Sequence, residues 1–211
     1  MKLPIFQIYN VNSALKYLSK KNGFSFNTLL RVARYSNSFE NFILPIESAR
    51  KNLLSQYVDG NGKILDPAKE TEFQTELTKF SKTEEDIPEC TPQLTVDDLS
   101  PVKLAPIHVT FLLGNLIGPL EQSDSTQNIP FSSDQERSLF RSSCVALSSV
   151  EMDPKSTLFG YCLEVCNQLR WDMDYPIQFR GNITKSDLDK IPNLTPENIS
   201  GLFPVLENAD G

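Results

Sequence analysis

The sequence predicts a mainly α protein in two parts, a helical-hairpin N-terminal part and a smaller helical C-terminal part. Three observations point there. Apolar residues recur at three- and four-residue intervals over a long stretch, as Phe39, Phe42, Ile43, Ile46, Ala49, Leu53 and Tyr57 do. Helix-opening residues stand ahead of such runs at Ser25, Thr95, Asp134 and Thr195. The 14 prolines are concentrated after Asp66, where they shorten the elements. At 211 residues the chain accommodates one large domain or two small ones, and either can bury a core without metal or disulfide.

Residues 12–21 begin at an Asn/Ser cap and set Leu15, Tyr17 and Leu18 on a helical surface among Lys16, Lys20 and Lys21, with Gly23 ending the helix. Ser25 then caps a much longer helix whose stripe begins at Leu29, Leu30 and Ala33. Pro45 falls inside that run and predicts a kink or interruption near residues 41–45, because proline removes a backbone donor and crowds the preceding turn. The segment 58–64 (VDGNGKI) is a reversal, since Asp-Gly and Asn-Gly supply positive-φ positions. Asp66-Pro67 opens a shorter acidic helix with Phe73, Leu77 and Phe80 along one edge, which folds back on the long helix as an antiparallel hairpin.

Residues 82–92 are extended and proline-punctuated, and Thr95-Val96-Asp97-Asp98-Leu99 is a capping box ahead of a short helix. The apolar segment 106–117 is expected to close the first core as a helix. Residues 118–133 (GPLEQSDSTQNIPFSS) have no periodicity and are the expected linker. The predicted organisation is therefore 1–117, a linker 118–133, and 134–211. In the last part helices run from Asp134 to about Ser149 and from Asp153-Pro154 to about Arg170. A short strand follows at 177–179, then brief helices opened by Ser186 and Thr195-Pro196.

Charge is split along the chain. Residues 1–58 carry eight Lys/Arg against two Asp/Glu, residues 59–98 four against eleven, and residues 99–211 eight against fourteen, for a net −7. Such blocks neutralise each other within the fold or face different partners. Lys16, Lys20, Lys21, Arg31 and Arg34, with Phe24 and Phe26 as apolar anchors, form the candidate partner-binding surface. The same cations, with Arg50, Lys51 and the rings of Tyr17 and Tyr35, are also the residues a nucleic-acid reading requires. A sequence pI near 4.8 opposes phosphate binding.

Catalytic chemistry finds little to stand on. His108 is the single histidine and lies in an apolar run without a Ser or Cys setting for a triad. Neither phosphate-cradling glycine motif is present, and no cofactor is expected. Cys162 and Cys166 share a helical face and with Cys144 or His108 are the candidates to complete a zinc site, but no C-x-x-C knuckle is present, so buried thiols are the expectation. The 58–64 reversal lacks the first and twelfth oxygens of a calcium loop, where Tyr57 and Ala68 stand. Asp172 and Asp174, with Asp187 and Asp189, are the only carboxylates suggesting a divalent-cation site, and solvated acids and caps account for them as well. The first residues lack a signal-peptide core and no stretch is long enough to span a membrane, so a soluble intracellular protein is expected and the Asn-x-Ser/Thr triplets at Asn182, Asn193 and Asn198 arise by chance.

A long helix, then Gln56-Tyr57-Val58-Asp59-Gly60-Asn61-Gly62-Lys63, an acidic segment from Glu70-Thr71-Glu72-Phe73 to Phe80, and an extended Glu84-Glu85-Asp86-Ile87 follow one another. In this order the chain resembles a group of small tailed-phage proteins of unknown function. The resemblance covers about residues 12–117; Pro45 departs from the smooth helix it leads one to expect, and the residues beyond 117 have no counterpart. It implies a phage accessory or virion-associated protein, in the particle or the host cytoplasm, and no catalytic residue. The expected function is a non-catalytic protein-binding component, a structural or assembly protein of a tailed-phage particle that binds other virion proteins. The alternatives are a phage inhibitor or modulator of a host nucleic-acid enzyme, acting through residues 84–98 or the basic first helix, and last a metal-dependent hydrolase on Asp172 and Asp174.

Overall fold

The computed structural model describes residues 2–87, 91–100, 102–114, 116–118, 127–129, 131–171, 178–179, 183–189, 191 and 194–206. It is mainly α, as the apolar periodicity predicts. The chain forms two compact units: unit 1 contains residues 1–20 and 29–91, and unit 2 contains residues 21–28 and 92–211. The division therefore falls at 91/92, with 21–28 joining the C-terminal unit, and differs from the 118–133 boundary suggested by composition. Of that segment, residues 119–126 and 130 lie outside the described residues.

In unit 1, β1 (Lys2–Pro4) leads into α1 (Ile5–Ser19). The helix begins seven residues before the expected Asn12, because Pro4, extended at φ −65°, ψ 147°, serves as N-cap, and Asn12 is buried within the helix. Ile8, Ala14, Leu15 and Leu18 have no exposed surface, and each of the two leucines contributes roughly 1.5–3 kcal/mol by burial. Next comes α2 (Phe26–Tyr57), 32 residues long. Ser25 opens it as expected, its Oγ accepting from the Thr28 N–H at 3.2 Å. Pro45 does not interrupt it. The proline is exposed, and so is Asn41, whose carbonyl it leaves without the usual helical donor. Solvent at that face meets the carbonyl, while Ile46 beside it is buried.

At the end of α2, Val58 and Ile64 form an antiparallel bridge around the glycine turn. Asp59 Oδ1 accepts from the Asn61 and Lys63 N–H groups at 2.9 and 2.8 Å, and Gly62 adopts φ 79°. Asp66 then caps a 3-10 turn (Pro67–Lys69) that continues as α3 (Glu70–Lys82). The acidic helix folds back to meet α2 at Tyr57, whose ring lies 5.3 Å from that of Phe73 and whose hydroxyl donates to Glu72 at 3.2 Å, and it packs against α1. β2 (Glu84–Asp86), within the expected extended stretch, pairs antiparallel with β1, setting Lys2 opposite Asp86.

In unit 2 three short helices are each opened by a reciprocal capping box: Thr95 with Asp98 for α4 (Val96–Leu99), and later Thr184 with Asp187 and Thr195 with Asn198. α5 (Pro106–Thr110) is much shorter than the predicted 106–117 helix, and it belongs to unit 2 rather than closing the first core. Turns replace the remainder, with Leu94 N–H donating to the Leu116 carbonyl at 2.6 Å. β3 (Gln127–Asn128) precedes α6 (Asp134–Ser148), which Ser133 rather than Asp134 caps, and α7 (Thr157–Trp171) follows, with Ser156 Oγ accepting from the Phe159 N–H. β4 (Gln178–Phe179) pairs antiparallel with β3. The last elements are α8 (Lys185–Leu188), α9 (Pro196–Gly201) and a 3-10 turn (Phe203–Val205). Phe140, Leu147, Cys162, Leu202 and Val205 centre the core that α6, α7 and α9 share.

Candidate partner-binding surface

The seven residues singled out for partner binding divide between the two units. Lys16 and Lys20 are exposed at the end of α1; Arg31 is half-buried and Arg34 exposed on α2, all four in unit 1. Lys21, Phe24 and Phe26 belong to unit 2. Lys21 is paired with Glu151, and Phe24 is buried, 7% exposed, so its ring is used in folding. Phe26 remains 77% exposed. The 21–28 segment is seated in unit 2 by further contacts: Thr28 Oγ1 donates to the Asp98 carbonyl at 3.3 Å. Gly23, at φ 108°, leaves room for Val102, whose Cγ2 a glycine-replacing Cβ would meet at 3.3 Å.

Grouping by unit changes the meaning of the charge split. Unit 1 carries eleven Lys/Arg and eleven Asp/Glu, whereas unit 2 carries nine and sixteen, so the whole net −7 lies in unit 2. The basic first block and most of the acidic second block therefore cancel within one unit. Long-range attraction of a polyanion to unit 1 is correspondingly small.

Cys144, Cys162 and Cys166 are free and buried in unit 2, and Cys144 and Cys162 line a small cavity together with Ser148, Tyr161 and Ile183. Burial pushes the Cys162 thiol up to about 12 and the Cys166 thiol to about 11, both against the opposing effect of Ser148, and it raises Cys144 well above the usual range. Thiols held protonated in this way are poor nucleophiles. Among the described residues no group of three or more His, Cys, Asp or Glu is placed to hold a metal ion. Asp187 serves a cap, while Cys90, Asp172, Asp174, Asn182 and Asn193 lie outside the described residues. His108 on α5 is held below its ordinary value by burial, with Glu151 raising and Lys21 lowering it. In unit 1, burial and then Glu47 push Tyr9 up to about 12.

The surface that periodicity did not single out is the outer face of α2. Its buried face is Val32, Tyr35, Phe39 and Ile46. Leu29 and Leu30, expected in the buried stripe, are each 38% exposed, and Leu44 is 69% exposed. Leu30, Ala33, Asn37, Asn41 and Leu44 are all exposed and uncharged. The signal was present in the spacing: Val32, Tyr35, Phe39 and Ile46 follow one helical phase, and the five outward residues follow the opposite one. No helix among the described residues is long and apolar enough to cross a membrane. No protein-family model, curated protein or solved structure matches the chain.

Proposed function

We propose that the protein is a non-catalytic protein-binding component, and, following its resemblance to small tailed-phage proteins, a structural or assembly protein of a phage particle. The observation that carries the protein-binding reading is the outer face of α2, where Leu44 is 69% exposed and Leu30, Ala33, Asn37 and Asn41 on the same side are exposed and uncharged. Large exposed apolar side chains on a rigid element are what a partner desolvates on docking. The balanced charge of unit 1 also favours a protein over a nucleic acid as its partner.

The test measures binding of the purified protein to random-sequence DNA and RNA at low and physiological salt. Phosphate contacts release counterions and produce a steep salt slope, whereas an apolar protein contact has none. Only weak, salt-insensitive binding is expected. Micromolar binding with a steep slope, abolished by reversing Lys20, Lys21 and Arg31, would overturn the reading in favour of a modulator of a nucleic-acid enzyme.

A further inference from the structure

The sequence holds two Asn-Gly pairs, Asn22-Gly23 and Asn61-Gly62, and all four residues are exposed. Such a pair reacts with itself, because glycine has no Cβ to keep its backbone nitrogen from the amide carbon of the preceding side chain. The nitrogen must shed its proton and turn onto that side chain. The two pairs differ in both respects. Gly62 N–H donates to the Asp59 carbonyl at 3.0 Å and Asn61 N–H to Asp59 Oδ1 at 2.9 Å, so both amides are tied into the reversal, and the Asp59 carboxylate opposes a negative nitrogen beside it. Among the described residues neither Asn22 nor Gly23 has a hydrogen-bond partner. Their chain neighbours are the cations Lys20 and Lys21, which favour a negative nitrogen.

We infer that Asn22 is a site of spontaneous covalent modification, closing to a succinimide with Gly23 and reopening as aspartate or isoaspartate, and that the isoaspartate unseats the 21–28 segment within unit 2. The Gly23 nitrogen gives its proton to solvent and bonds to Asn22 Cγ. The Cγ–N bond of the side-chain amide breaks, and that nitrogen takes a proton from solvent and leaves as ammonia. Water then adds to one ring carbonyl and breaks its bond to the Gly23 nitrogen. Attack at Cγ restores the ordinary main chain as aspartate, whereas attack at the Asn22 backbone carbonyl leaves the chain running through Cγ, one methylene longer. That length falls where there is little room. A Cβ on Gly23 would already meet Val102 Cγ2 at 3.3 Å, and the next residue, Phe24, is buried. The new carboxylate is next in sequence to Lys21, where it competes with Glu151 for the ammonium. None of this depends on what the protein binds.

The purified full chain is warmed at mildly alkaline pH, and peptide mapping by mass spectrometry follows the amide-to-acid mass gain at each pair. In the folded chain Asn22 should convert roughly fivefold or more ahead of Asn61, the factor that one net hydrogen bond represents. In urea, where the reversal around Asp59 is lost, the gap should close. Chymotrypsin reads the consequence: cleavage after Phe24 should rise with the isoaspartate fraction. An Asn22→Gln chain, whose longer side chain closes the ring poorly, should keep its circular dichroism and stay resistant through the same incubation. Equal conversion of the two pairs in the folded chain, a gap undiminished in urea, or cleavage after Phe24 no faster in the converted chain than in Asn22→Gln would each overturn the inference.

Discussion

Gly201 lies so close to Ser143 that the Cβ it lacks would stand 2.1 Å from Ser143 Oγ and 2.8 Å from the Leu139 carbonyl oxygen. The hydroxyl can rotate away, but the carbonyl belongs to the backbone of α6 and cannot. This crossing holds α9 on α6, with Ser143 fully buried beneath it. Gly201→Ala is therefore expected to destabilise the protein by about 1–3 kcal/mol, the usual cost of overpacking, seen as a lower urea midpoint. An unchanged midpoint would mean that α9 does not rest there.

Pro45 gives the opposite sign. It lies in the interior of α2, where proline forfeits a backbone hydrogen bond and costs up to about 3 kcal/mol relative to alanine. Pro45→Ala should raise stability by a fraction of that, because the exposed Asn41 carbonyl already has solvent to accept from. Thermal melts of the two proteins settle the sign; a lower Tm for the alanine variant would show that the packing of unit 1 requires the proline.

The segments legible in the sequence are those whose cause is local. Thr95 with Asp98 and Thr195 ahead of Pro196 could be read as helix starts because the atoms that satisfy each other lie within four residues. The Asp59–Lys63 reversal was legible for the same reason. What escaped depends on distant partners. Nothing local in Lys21–Thr28 reveals that Phe24 is buried in the C-terminal unit, or that Lys21 pairs with Glu151, 130 residues away. The β1–β2 pairing likewise depends on segments separated by about eighty residues. The apolar residues of 106–117 announced burial, but Gly114 at φ 75° and the bond from Leu94 to Leu116 decided that turns rather than a helix would bury them.

Three thiols offer a probe of unit 2. Cys144, Cys162 and Cys166 are buried and their thiolates are disfavoured, so in a Cys90→Ser variant a thiol reagent should label almost nothing in native buffer and all three in denaturant. Rapid native labelling would show that the α6–α7 core opens readily.

His108 makes stability depend on pH. Its folded value lies below the 6.5 of the free side chain. As pH falls through 6.5 the unfolded chain takes up a proton before the folded one does, so the unfolded state binds more protons in that window. Stability from this residue is full above 6.5, declines as pH falls toward the folded value, and levels off below it. Burial first, with Glu151 raising and Lys21 lowering the value, sets how far the window extends. His108→Gln should flatten the slope of denaturation midpoint against pH between 7 and the folded value; an unaltered slope would remove His108 as its source.

The reading as a particle component is tested most directly by where the protein resides. Purified phage particles and the soluble fraction of infected cells are probed quantitatively for the chain, and the purified protein is sedimented with particles at low and high salt. The account predicts that the chain stays with particles through purification, and that binding persists at high salt because it rests on apolar contact rather than screened charge. A chain found only in the soluble fraction, which fails to sediment with particles at either salt, would contradict it.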